Sequence, residues 1–184
     1  MKTYLCVCLL IGLLNNTICF ANDFLLDSIK EIYQYETWSG TTKTNYQKII
    51  KNKPPEFNNF GTTNIAVQNG EISSDGFLES FYIFKTTNMP DDVYLRVYET
   101  SSVLDAHEAL MFFFNNCSAI QPFQTGKSIG VNLGDHCFAG YPMGATNSLF
   151  FVRNNVFIDI TSGSSVYEIA NKIDQQLLSS SLLP

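Results

Sequence analysis

The sequence predicts an α+β domain, an antiparallel sheet built from two ββα units with their helices packed on one face. Three observations carry this. Leu149 to Leu178 reads as strand, turn, strand, short loop and helix. Sliding the chain back by 63 positions brings a second stretch of the same pattern into register. A leader-like start leaves one domain's length behind it.

In the first stretch Asn154-Asn155 separates two apolar runs. Asn tolerates positive φ better than other non-glycine residues, so the pair suits a tight hairpin. The flanking β-branched and aromatic residues favour strands. Val156, Ile158 and Ile160 then point one way, and Phe157, Asp159 and Thr161 the other. Ser165-Val-Tyr-Glu168 is a capping-box pattern. Val166, Ile169, Ala170, Ile173 and Leu177 follow at helical spacing.

At the offset of 63, Val93–Tyr98 falls on Val156–Thr161, and Ser101-Ser102-Val103 on Ser164-Ser165-Val166. Asp105 falls on Glu168, which gives the earlier helix its own Ser-x-x-acid start. Ala106, Leu110 and Phe114 fall on Ile169, Ile173 and Leu177 without a gap. The preceding strands, Phe81–Lys85 and Leu149–Arg153, match in character, but their hairpin loops differ in length. Any two ββα units share a binary pattern. The shared Ser-Ser-Val and the ungapped register favour internal duplication.

Residues 1–21 read as a signal peptide. Lys2 gives the positive start, Tyr4 to Leu14 is an apolar run too short to span a bilayer, and Cys19-Phe-Ala21 ends in a cleavage pattern. Ile18 stands where a lipobox needs a small residue. Taking 21 residues from 184 leaves 163, one domain over 22–184. Cleavage removes one base, Lys2, and no acid, so the net charge moves from −6 to −7. An acidic chain without a Lys/Arg run argues against nucleic acid or an anionic membrane as partner. The mature chain contains no transmembrane-length apolar run. The expected location is therefore the periplasm or the extracellular space.

Within 22–184 the sequence divides into a helix and covering segment over 22–60, the first ββα unit over 76–116, and a strand plus the second unit over 129–178. The opening helix runs from Asn22 and breaks at Trp38-Ser-Gly40, and Pro54-Pro55 ends the segment after it. Asn64–Val67 reads as a short strand, Asn115–Ser128 as loop, and Ser179–Pro184 as a tail.

Gly134-Asp135 before a strand, Phe151-Val-Arg-Asn-Asn-Val156, and Ile169-Ala-Asn-Lys-Ile-Asp174 resemble small exported bacterial domains of unknown function. The resemblance covers about a third of the chain. It implies a periplasmic α+β domain and brings no catalytic residues.

Cys117 and Cys137 are the cysteines left once Cys6, Cys8 and Cys19 depart with the leader. An even pair in an exported chain predicts a disulfide, contributing ~3 kcal/mol by loop entropy. The rival reading is a nucleophilic Cys137 beside His136, but adjacent strand residues point to opposite faces. Gly126-Lys127-Ser128 lacks the upstream glycine of a phosphate loop, because Gln121 stands there. Asp135-His136 with His107 lacks metal-ligand spacing, so neither a metal nor another cofactor is expected. Asn116-Cys117-Ser118 is a glycosylation sequon only in a eukaryotic secretory host.

The candidate binding surface is the sheet face turned away from the helices, with Tyr94, Arg96 and Tyr98 from one copy and Phe157 and Asp159 from the other. Arg96 and Asp159 occupy equivalent positions and would meet if the copies pair about a twofold axis. Residues 23–60 are a rival occupant of this face, using its aromatics as a second core. The preferred function is a non-enzymatic exported domain that binds a protein, peptide or envelope component. The alternatives are a thiol- or acid-dependent hydrolase using Cys137 or Asp135 with a histidine, and a structural module of an exported assembly.

Overall fold

The computed structural model describes residues 26–38, 62–68, 78–117, 123–140 and 145–181. The expected leader, most of the expected covering segment and the last residues of the expected tail lie outside them. The described residues fall into two compact units, one of 26–38 with 111–117, the other of 62–110 with 123–181.

In the smaller unit, helix α1 (residues 26–32) ends at Gln34, whose φ of 53° is left-handed, and a short 3-10 turn, Tyr35–Thr37, follows. The helix thus stops before the expected Trp38-Ser-Gly40 break. Trp38 instead ties the turn back, donating from Nε1 to the Tyr33 carbonyl at 3.1 Å and packing on Tyr35. Tyr33 meets Phe114 with ring centroids 5.1 Å apart.

The larger unit is built on a seven-stranded sheet, antiparallel throughout. Its strands are β1 (Thr62–Gln68), β2 (Leu78–Thr86), β3 (Val93–Glu99), β4 (Gln124–Thr125), β5 (His136–Ala139), β6 (Ser148–Arg153) and β7 (Val156–Ser162). They lie in the order β1-β2-β3-β7-β6-β5-β4. The two long helices are α2 (Val103–Asn116) and α3 (Tyr167–Ser181). The expected α+β class and antiparallel sheet are what the structure shows.

The hairpin between β6 and β7 turns on Asn154, with φ 50°. Ser102 Oγ accepts from the Asp105 amide at the start of α2, and Ser165 Oγ accepts from the Tyr167 amide at α3. Each hydroxyl satisfies a donor that the first helical turn leaves without a partner. Within the larger unit, the residue after β3 and the β6–β7 turn are clasped together. Thr100 Oγ1 donates to the Asn155 carbonyl at 2.9 Å, and Asn155 Nδ2 donates to the Thr100 carbonyl at 2.8 Å.

Register assigns the two sheet faces. Tyr82 and Phe84, Leu95 and Val97, Ile158 and Ile160, Leu149 and Phe151, and Cys137 and Ala139 share one face. Val166, Ile169, Ala170, Ile173 and Leu177 of α3 close a core over them. Burying each large aliphatic side chain there contributes ~1.5–3 kcal/mol. The other face carries His136, and His107 of α2 packs on it with ring centroids 5.2 Å apart. The helices therefore divide between the faces, where the sequence reading placed both on one. The physical reason is local: β6 is apolar at both phases, with Leu149, Phe150, Phe151 and Val152 all buried, so both of its faces need cover.

Arg153 ends β6 and grips α3. Its Nε and Nη2 donate to the two Asp174 oxygens at 2.8 Å each, and Nη1 donates to Asp135 Oδ1 at 2.8 Å. Asp135 Oδ2 also accepts from the Asn154 amide. Gly134 makes this approach possible: its φ is 61°, and a Cβ there would sit 2.3 Å from the Val152 carbonyl oxygen.

The expected Cys117–Cys137 disulfide is not formed, because the two sulfurs do not lie at disulfide distance. Cys137 faces the α3 core beneath Gly126, where an added Cβ would meet Cys137 Cβ at 2.9 Å and Sγ at 3.0 Å. Its sulfur is thus engaged as a small core residue.

Candidate functional site

Cover on the α2 face is uneven. On β6 both phases are buried, whereas β3 alternates strictly, with Val93, Leu95 and Val97 buried and Tyr94 and Arg96 exposed. The accessible part of this face is therefore the β2–β3 half. Tyr94 is 45% exposed, and the Arg96 side chain equally so.

The five residues proposed from the sequence do share this face. Arg96 pairs directly with Asp159, Tyr94 with Thr161, and Tyr98 with Phe157. They do not share accessibility. Phe157 is buried, stacked under Tyr98 at 5.0 Å and 13°. It can support a binding surface but cannot touch a ligand. Asp159 and Tyr98 are half-buried.

Two residues that sequence reasoning missed complete the cluster. β2 brings Glu79 and Phe81 opposite Tyr98 and Arg96. The Arg96 guanidinium lies 5.4 Å from the Phe81 ring centroid, and its Nε is 3.9 Å from Glu79 Oε1. Tyr98 donates its hydroxyl to the same Glu79 oxygen at 3.3 Å. The signal for them was the alternation Glu79, Phe81, Ile83, Lys85 against Ser80, Tyr82, Phe84, once the phase of β2 is known.

Electrostatics separate the members. Burial, reinforced by Glu79, pushes the Tyr98 phenol up to about 12, so it remains a hydrogen-bond donor at neutral pH. Burial also pushes the Asp159 carboxyl up to about 6, against the opposing pull of Arg96 and a hydrogen bond from Thr161. Burial wins there because the opposed charge is itself partly in solvent. The cluster thus offers an exposed Tyr ring, a guanidinium held over Phe81, and two carboxylates.

The residues of the alternative chemistry are arranged differently. Burial, then the charge of Asp174, pushes the Cys137 thiol up to about 12, so little thiolate exists at neutral pH. Asp135 is committed to Arg153 and the turn amide. Among the described residues, no group of three or more His, Cys, Asp or Glu side chains is placed to hold a metal ion. Among them, too, no helix is long and apolar enough to cross a membrane.

No protein-family model matches the chain. Neither a curated protein nor a solved structure gives a match.

Proposed function

We propose that this is an exported, non-enzymatic domain that binds a protein, peptide or envelope component through the open β2–β3 half of its α2 sheet face. The observation that carries the reading is the exposure of Tyr94 and Arg96 on β3, an interior strand of the sheet, whereas β6, two strands away, is buried on both sides. A large ring and a pre-positioned guanidinium are side chains that contribute strongly at interfaces. Arg96 is already oriented by Phe81 and Glu79, so binding immobilises it at reduced entropic cost. The export assignment rests on the leader pattern of residues 1–21.

Co-sedimentation of the mature protein with isolated cell-envelope fractions tests the reading. Wild type is expected to sediment with a fraction, and Tyr94→Ala and Arg96→Ala to remain in the supernatant with unchanged melting temperatures. Equal sedimentation of all three rejects this face as the site.

A further inference from the structure

The chain contains two histidines, 29 positions apart, and the fold brings their rings together. His107 is on the first half of α2 and only 2% exposed. His136 opens β5, on the face opposite the α3 core. The rings meet edge to face, with centroids 5.2 Å apart and planes at 81°. We propose that this contact is an acid-sensitive latch that holds the first half of α2 against β5 and releases it as the imidazoles take up protons.

The geometry supplies the mechanism. Neutral rings pack edge to face as aromatic pairs do. A proton on either ring places a cation in a buried contact, and a second proton places two cations side by side. Among the described residues, two acids act on the pair. Glu108 on α2 acts on His107, and Asp135 beside β5 acts on both rings. Asp135 cannot turn wholly towards them, because Arg153 Nη1 and the Asn154 amide hold its two oxygens. Burial therefore prevails: it lowers His107, and together with the charge of His107 it takes His136 down to about 4.

The sign follows from these directions. In the unfolded or released state the imidazoles titrate near 6.5. As pH falls below that value the released state gains protons that the closed contact refuses. The closed state loses ground down to about pH 4, where His136 also titrates in place. Acidic conditions above that point are thus the latch's working range.

Hydrogen exchange on the full mature chain tests this, with rates normalised to intrinsic exchange at each pH. Between about pH 7 and pH 5, protection of the amides of residues 106–110 is expected to fall at least tenfold. Protection in α3 over residues 169–177 is expected to hold. His136→Phe keeps a ring in the contact without its proton, and it should abolish most of the fall. If protection in α2 is independent of pH, or falls equally in His136→Phe, the latch is wrong. A parallel loss in α3 would mean global acid unfolding and is equally contradictory. Should His136→Phe fail to fold, the wild-type imidazole resonances decide. Midpoints below the ordinary histidine value that track the α2 loss support the latch, and an ordinary midpoint for both rings overturns it.

Discussion

Arg96 and Asp159 stand directly opposite each other in the β3–β7 ladder, and they are separated by 63 positions, the offset that aligns the two ββα units. A local twofold between antiparallel strands passes between equivalent residues. Leu95 pairs with Ile160 and its equivalent Ile158 pairs with Val97, as that symmetry requires. The symmetry stops at the helices, because α3 covers one face while His107 of α2 meets His136 on the other.

Asp159 is expected to be a destabilising residue at neutral pH. Its carboxyl titrates at about 6 in the folded chain against 3.8 when unfolded. Above about pH 6 the folded state carries a half-buried charge, and as pH falls through 6 it accepts a proton and that cost is relieved. Asp159→Asn should therefore raise stability by roughly 1–2 kcal/mol at pH 8, with the gain vanishing as pH falls towards 4. Urea unfolding at several pH values measures it. A gain that is flat with pH would exclude titration of this carboxyl as the cause.

The Arg153–Asp174 pair is expected to behave as a buried one, since Asp174 is almost fully enclosed on α3. Arg153→Met leaves that carboxylate unmatched and should cost ~3–5 kcal/mol. Arg153→Met with Asp174→Leu should recover most of the loss, because no charge is then stranded. Chemical denaturation of the single and double variants gives the coupling. A single-variant loss below ~1 kcal/mol would place the pair with ordinary surface salt bridges.

Thiol chemistry should follow burial. Cys117, half-buried just after α2, is expected to react with a thiol reagent before unfolding. Cys137 is expected to react only with unfolding, because its thiol is buried and held up at about 12. Denaturation without reductant should expose both. Finding neither would mean that the chain forms a bridge in solution.

Much of this fold was legible because its signals are local. The β6 strand, Asn154-Asn155 turn, β7 strand and Ser165-capped α3 fall within a few residues of where periodicity and capping place them. The Tyr94, Arg96, Tyr98 and Asp159 face followed from strand alternation alone. What escaped depends on contacts distant in sequence. The burial of Phe157 needs to be known from what stacks on it, and Glu79 and Phe81 from the register of β2. Cysteine parity predicted a bridge, but parity says nothing about where a thiol points. One missed residue did leave a trace: Asp174 follows Ile173 and sits four residues after Ala170 on the apolar stripe of α3, where an acid demands a buried base.

The most direct test of the proposed binding surface is site-specific photo-crosslinking in the native envelope. A photoreactive phenylalanine analogue at Tyr94 samples the open sheet face, and one at Glu168 samples the exposed side of α3. The account predicts a discrete adduct from position 94, weakened by Arg96→Ala, and none from position 168. Adducts from position 168 alone, or the same adducts from both positions, would contradict it.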